Sequence, residues 1–101
     1  MKSAFVASPT DVGLLTSSIL RDLTPEPIVC SSFAELAAFR QASTVYFVVS
    51  QLSMCSSAYQ ELVRAAFALT QDLRRLVLRL DQVNIPDGFQ MLQSLREGTP
   101  Q

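Results

Sequence analysis

Three residues of this chain combine side-chain types that could do chemistry at one place: Ser8, Ser50 and Glu61. Each serine follows a short apolar run, and Glu61 is expected in the first turn of the helix that begins near Ser57. In open α/β sheets ligands bind beyond the carboxyl ends of the strands, so a carboxylate held there is where chemistry would be expected. Serine hydroxyls, together with N–H groups at a helix N-terminus, can hold a phosphate or a ribose. Glu61 is therefore the candidate catalytic residue, and Ser8 and Ser50 are candidate binding residues.

Each of these residues also has an ordinary structural interpretation. A glutamate in a first helical turn stabilises the positive end of the helix dipole. Serines at strand ends commonly cap helices or satisfy loop backbone. The residues alone leave both interpretations open.

Composition excludes several classes of function. The 101 residues contain no histidine, which removes Ser-His and Cys-His catalysis and most transition-metal sites, so we expect no metal and no cofactor. The formal charge is −1 and the basic residues are scattered, so nucleic acid is not an expected partner. Cys30 and Cys55 lack CxxC spacing, which is typical of free thiols in a cytoplasmic protein. No apolar run approaches the ~20 residues of a bilayer span, so the chain is expected in the cytoplasm and away from membranes.

The hydrophobic pattern predicts the elements that position these residues. Apolar runs predict four strands, at Ser3–Ala7, Ile28–Cys30, Thr44–Val49 and Leu76–Leu80. A helix is expected after each strand, with starts at Ser8, Ser32, Ser57 and near Phe89. Spacing predicts that the third helix buries one stripe, made of Leu62, Ala65, Ala66 and Leu69.

Strands that alternate with helices favour parallel pairing with right-handed crossovers. We predict a flavodoxin-like three-layer α/β sandwich, with a four-stranded parallel sheet of order 2-1-3-4 and helices on both faces. Residues 1–101 form one domain in this prediction, and 95–101 form a frayed tail. Arg79 inside the fourth strand suggests that this strand lies at an edge. In the order 2-1-3-4, the second strand lies on one side of the first strand and the third strand lies on the other. This arrangement opens a crevice at the carboxyl ends of the first and third strands. Ser8, Asp11, Ser50 and Glu61 are expected to gather around that crevice.

Three segments in this order resemble the TIR (Toll/interleukin receptor) fold, in a minimal bacterial form. "AFVASPTDVGLLTSSILRDL" is similar to the opening strand, Ser-containing loop and amphipathic helix of that family. "VYFVVSQLSMCSSAYQELVRAAFAL" looks like its third strand, serine loop and Glu-Leu helix. "RLVLRLDQVNIPDGF" is similar to its strand that ends in Asp before an "IP" turn. The resemblance covers roughly residues 4 to 92. No single motif is unique to the family, so the resemblance depends on the occurrence of three weak motifs in the same order.

The resemblance implies one of two roles. Many TIR domains act by assembling with other TIR domains in signalling or defence, and others cleave the nicotinamide–ribose bond of NAD with a glutamate that aligns with Glu61. Ser57 stands where catalytic members usually carry a tryptophan, and the loop after the second strand is nearly absent at Ser31 and Ser32. We therefore expect a protein-interaction domain that self-associates or binds another protein. NAD hydrolysis is the alternative, and a degenerate TIR-like fragment without activity is the third reading.

Two other functions that use this architecture fit the residues poorly. A phosphoreceiver needs an acidic cluster after the first strand, an acceptor Asp after the third and a downstream Lys. The chain has Ser8 and Ser50 at those strand ends, and Lys2 is its only lysine. A flavodoxin needs a phosphate loop rich in Ser, Thr and Gly, for which "SPTDVG" is too sparse.

Overall fold

The computed structural model describes residues 2–13, 15, 26–93 and 95–97. Its strands are β1 (Lys2–Val6), β2 (Glu26–Cys30), β3 (Thr44–Val49), β4 (Arg74–Arg79) and β5 (Arg96–Glu97). Its α-helices are α1 (Pro9–Val12), α2 (Gln51–Met54), α3 (Ser57–Leu69) and α4 (Gln90–Gln93). Two segments form 3₁₀ helices, the long 3₁₀ helix (Phe33–Gln41) and a short one (Asp87–Phe89). All strands pair in parallel in the order β2-β1-β3-β4-β5, which confirms the predicted order 2-1-3-4.

The fifth strand is a difference from the sequence prediction, which placed a frayed tail at this point. Arg96 pairs with Leu76 and Glu97 pairs with Val77, so the middle of β4 has a strand on both sides. Arg79 therefore does not mark an edge strand; it lies beyond this pairing, where its guanidinium donates to the carbonyl of Val83 at 3.2 Å. A two-residue strand of charged residues has no apolar run, so hydrophobic periodicity could not reveal it.

The sheet has two buried faces because alternate residues of each strand point to opposite sides. Val45, Phe47 and Val49 of β3 face a layer built from the long 3₁₀ helix and α3, which we call the two-helix face. Tyr46 of β3 points the other way and stacks on Phe5 of β1, with ring centroids 4.7 Å apart. Two apolar residues predicted for the first helix, Ile19 and Leu23, lie outside the described residues.

The N-cap of helix α3 lies one residue before Ser57, the predicted capping residue. The N-cap is Ser56, whose hydroxyl accepts the N–H of Tyr59 at 3.3 Å. At the other end, Arg75 donates to the carbonyl of Phe67 at 2.6 Å, and its guanidinium lies 3.8 Å from the centroid of the Phe67 ring. This arrangement satisfies a terminal carbonyl and places a cation at the negative end of the helix. Leu69, predicted to be buried, is 63% exposed.

Strand β2 forms one edge of the sheet, and Pro27 lies within it at an exposed position. The Cys30 carbonyl accepts a hydrogen bond from the Ala7 N–H of the neighbouring chain segment at 3.1 Å. Because backbone groups alternate in direction along a strand, Pro27 turns its nitrogen away from β1. Its missing N–H therefore costs no hydrogen bond within the sheet.

Candidate functional site

The carboxyl ends of β1 and β3 bring three of the expected residues together. Ser8 follows β1 and caps α1, with its hydroxyl accepting the Asp11 N–H at 3.2 Å. Ser50 follows β3, and its hydroxyl oxygen lies 2.9 and 2.8 Å from the two carboxylate oxygens of Asp11. All three side chains are buried, and Asp11 is only 1% exposed. Ser8 therefore bonds to Asp11 within the segment that follows β1. The Asp11 carboxylate in turn links this segment to Ser50, at the end of the neighbouring strand β3.

Tyr59 completes this cluster, although the sequence analysis did not assign it a role there. Its ring is buried, and its hydroxyl lies 2.7 Å from the carbonyl of Val6 and within hydrogen-bond distance of the carbonyl of Val48. Burial, with the nearby charge of Asp11, raises the pKa of Tyr59 well above its usual value. The tyrosine therefore remains a neutral donor to the ends of both strands. No local spacing pattern distinguishes it from an ordinary core tyrosine.

The helix that follows β3 satisfies further polar groups at this edge. Ser50 and Ser53 form a reciprocal capping box, in which each hydroxyl accepts the other residue's N–H. The Gln51 N–H donates to the carboxylate of Asp81 at 3.1 Å. This helix was not among those predicted, because a serine takes the place of the usual Glu or Gln in its capping box. The N–H groups of Ser50, Gln51 and Ser53 at this helix start are thus already bonded within the chain.

Glu61 lies apart from the buried cluster. The first turn of α3 contains no acidic residue, because Glu61 is the fifth residue of the helix, and its side chain is exposed. The prediction of a first-turn glutamate is therefore wrong, and with it the interpretation that Glu61 stabilises the helix dipole. The early N-cap at Ser56 explains the shift.

A cavity of about 270 Å³ opens at the carboxyl edge of the sheet, on the two-helix face. It lies between the N-terminal ends of the long 3₁₀ helix and α3. We call it the carboxyl-end cavity, and it is lined by Pro9, Ser31, Ser32, Phe33, Ser56, Ala58, Tyr59 and Leu62. Phe33 is 55% exposed at its rim. Glu61 follows Ala58 by one helical turn and is outside the lining.

Glu35 stiffens one wall of this cavity. Its carboxylate accepts the Ser31 N–H at 3.1 Å and the hydroxyls of Ser31 and Ser32 at 3.2 and 3.1 Å. These bonds, led by the one from the Ser31 backbone, lower the pKa of Glu35. The predicted capping box is only half formed, since the Ser32 hydroxyl makes no cap to the backbone and the helix is 3₁₀.

A second cavity, of about 340 Å³, lies at the opposite end of the two-helix face. The C-terminal ends of the long 3₁₀ helix and α3 form it. We call it the amino-end cavity, and it is lined by Leu36, Ala37, Phe39, Arg40, Ala42, Leu69, Asp72 and Leu73. The exposed Leu69 stands on its rim, as Phe33 does at the other cavity.

The two cysteines should differ in reactivity. Cys30 is buried, its thiol donates to the Glu35 carbonyl at 3.4 Å, and burial together with the Glu35 charge raises its pKa to about 11. Cys55 is exposed. We expect a thiol reagent at about pH 8 to modify Cys55 quickly and Cys30 only after denaturation, since the thiolate is the reactive form. The Cys55→Ser variant should lose the fast phase; equal rates for both thiols in the native protein would contradict the prediction.

None of the helices among the described residues has the length and hydrophobicity that a bilayer span requires. Over the same residues, no group of three or more potential metal ligands comes together. Comparison of the chain with protein-family models, with curated proteins and with solved structures finds no match in any of the three, so the resemblance to TIR domains stays a prediction.

Proposed function

We propose that this chain is a cytoplasmic protein-interaction domain that acts in signalling or defence by assembling with copies of itself. The observation that carries the proposal is the position of Phe33 and Leu69. Each is a large apolar side chain, more than half exposed, at the rim of a mainly apolar cavity. Aromatic side chains such as Phe33 are enriched at the cores of protein interfaces, and burial of the exposed Leu69 would remove further apolar area from water.

The polar groups at the strand ends support assembly over catalysis. Ser8, Asp11 and Ser50 are buried and bond to one another, so a ligand would have to break these bonds to reach them. Glu61 is exposed and outside the carboxyl-end cavity. The candidate site thus holds the sheet together at its centre, while its periphery offers apolar surface.

Self-association should be measurable directly on the wild-type protein. We expect its weight-average mass in sedimentation velocity to rise above the monomer value between about 1 and 100 µM, as for an interface with a micromolar dissociation constant. The Glu61→Gln variant should still associate, with an affinity lowered by no more than about fivefold, because the apolar rim is unchanged and an exposed ion pair contributes at most about 1 kcal/mol. A monomer throughout this range would contradict the proposal.

NAD hydrolysis is the second candidate, and one observation favours it. The carboxyl-end cavity lies where open α/β sheets bind ligands, and one of its walls is the helix that carries Glu61. A substrate in the cavity would have to extend past Ala58 to bring its ribose to Glu61. There the carboxylate would stabilise the oxocarbenium-like charge that develops as nicotinamide leaves.

An assay of nicotinamide release distinguishes the two candidate functions. The protein is incubated with NAD at high protein concentration, with Glu61→Gln in parallel. The interaction proposal predicts no release from either protein. Release that the substitution abolishes, in protein of unchanged fold, would establish the nucleosidase and make Glu61 its catalytic residue.

A further inference from the structure

The two cavities occupy opposite ends of the same face. The long 3₁₀ helix and α3 both begin at the carboxyl edge of the sheet and end at its amino edge. The carboxyl-end cavity is therefore bordered by two helix starts and the amino-end cavity by two helix ends. Each end presents one projecting apolar side chain, Phe33 or Leu69, beside one apolar recess.

The charges around the cavities differ in sign. At the carboxyl end, the exposed Glu35 bonds to two serines of the lining, and the exposed Glu61 follows one turn after Ala58. Among the described residues, no charged side chain lines this cavity.

At the amino end, Arg40 lines the cavity and Arg74 directly follows its lining residue Leu73. Both arginines are exposed, and Asp72 is the acidic residue of the lining. The carboxyl end is thus acidic, and the amino end has an excess of basic groups.

We propose that copies of this chain assemble head to tail, with the carboxyl end of one copy seated on the amino end of the next. Phe33 of the first copy enters the amino-end cavity of the second, while Leu69 of the second enters the carboxyl-end cavity of the first. This inference rests on the proposed self-association and specifies its geometry. Such heterologous contacts leave one free surface at each end, so they build rings or open chains rather than closed dimers.

Charge disfavours the two symmetric alternatives. A two-fold contact between carboxyl ends would bring Glu35 and Glu61 against their own copies, and one between amino ends would oppose Arg40 and Arg74 in the same way. Like charges brought together across an interface cost free energy, whereas opposite charges fix the pairing. The head-to-tail contact places the carboxylates of one copy near the arginines of the next.

The test uses two variants that each disable one end. Phe33→Asp replaces the apolar side chain at the carboxyl end, and Leu69→Asp does the same at the amino end. Each should weaken self-association roughly 30- to 100-fold, the effect of losing a buried anchor residue. Mixed in equal amounts, they should form a one-to-one heterodimer, because each variant supplies the intact end that the other lacks. The remaining junction carries two aspartates, so the heterodimer cannot grow.

Leu52→Asp is the matched control, since Leu52 is also an exposed leucine, at 72%, but lines neither cavity. It should assemble like the wild type, and circular dichroism should show all three variants folded. If one variant alone still dimerises with wild-type affinity, or if the mixture stays monomeric, the head-to-tail geometry is overturned while self-association stands. A wild-type protein that is monomeric at every concentration overturns both the geometry and the proposed function.

Discussion

Replacement of Ser50 by alanine is expected to lower the free energy of unfolding by about 2–4 kcal/mol, a loss of roughly 10–20 °C in Tm. The Ser50 hydroxyl contacts both carboxylate oxygens of Asp11, which is 1% exposed. It also accepts the Ser53 N–H at 3.1 Å. Without it, a buried carboxylate and a buried N–H each lose a partner, and neither can reach water to replace it. Urea denaturation followed by circular dichroism measures the loss.

A double-mutant cycle with Asp11→Ala identifies the cause. If the Ser50–Asp11 contact dominates, the double variant should be more stable than the sum of the single losses predicts, because the carboxylate that Ser50→Ala leaves unbonded is then absent. Ser57→Ala is a suitable surface control, since Ser57 is exposed, and it should change stability by less than about 0.5 kcal/mol. Additive losses would show that Ser50 acts only as a helix cap.

Replacement of Tyr59 by alanine is expected to cost about 3–5 kcal/mol, as for other buried aromatic side chains. The ring is 3% exposed within the core of the two-helix face, and its hydroxyl joins the last residue of β1 to β3 through the carbonyls of Val6 and Val48. The loss therefore combines an empty volume in the core with removal of the single O–H donor that the two carbonyls share.

Tyr59→Phe separates these contributions. It keeps the ring and removes only the hydroxyl, so we expect a loss of about 1–3 kcal/mol. Thermal unfolding of both variants beside the wild type gives the comparison. A phenylalanine variant as stable as the wild type would mean that the hydroxyl does not join the strands, and the cluster would then consist of Ser8, Asp11 and Ser50 alone.

Most of the sheet was predictable because its strands are buried on both faces. In β3 every residue after the half-buried Thr44 is buried, so the hydrophobicity of this strand alone indicates a central parallel strand. Short crossovers then restrict the order of strands to few solutions. The placement of Ser8 and Ser50 followed from the same reasoning, since Ser50 directly follows β3 and Ser8 comes two residues after β1, the two strands between which the strand order reverses.

Features that depend on tertiary contact were missed. The predicted position of Glu61 in the first helical turn was wrong because three nearby serines, Ser53, Ser56 and Ser57, offer several cap positions that local sequence cannot rank. Leu69 fits the helical spacing of the buried stripe. It is nevertheless the last residue of α3, and its side chain is mostly exposed. The bonds of Tyr59 reach strand ends far away in sequence, so no local pattern reports them.

Pro27 affects how the protein can aggregate at high concentration. An open strand edge with free N–H groups is a template on which another chain can add a strand, and repetition of that step leads to cross-β aggregates. Pro27 removes one donor from the outward side of β2 and blocks close approach there. Growth by backbone pairing is thus obstructed at this edge. Association through side chains remains available, and contacts of that kind dissociate when the protein is diluted.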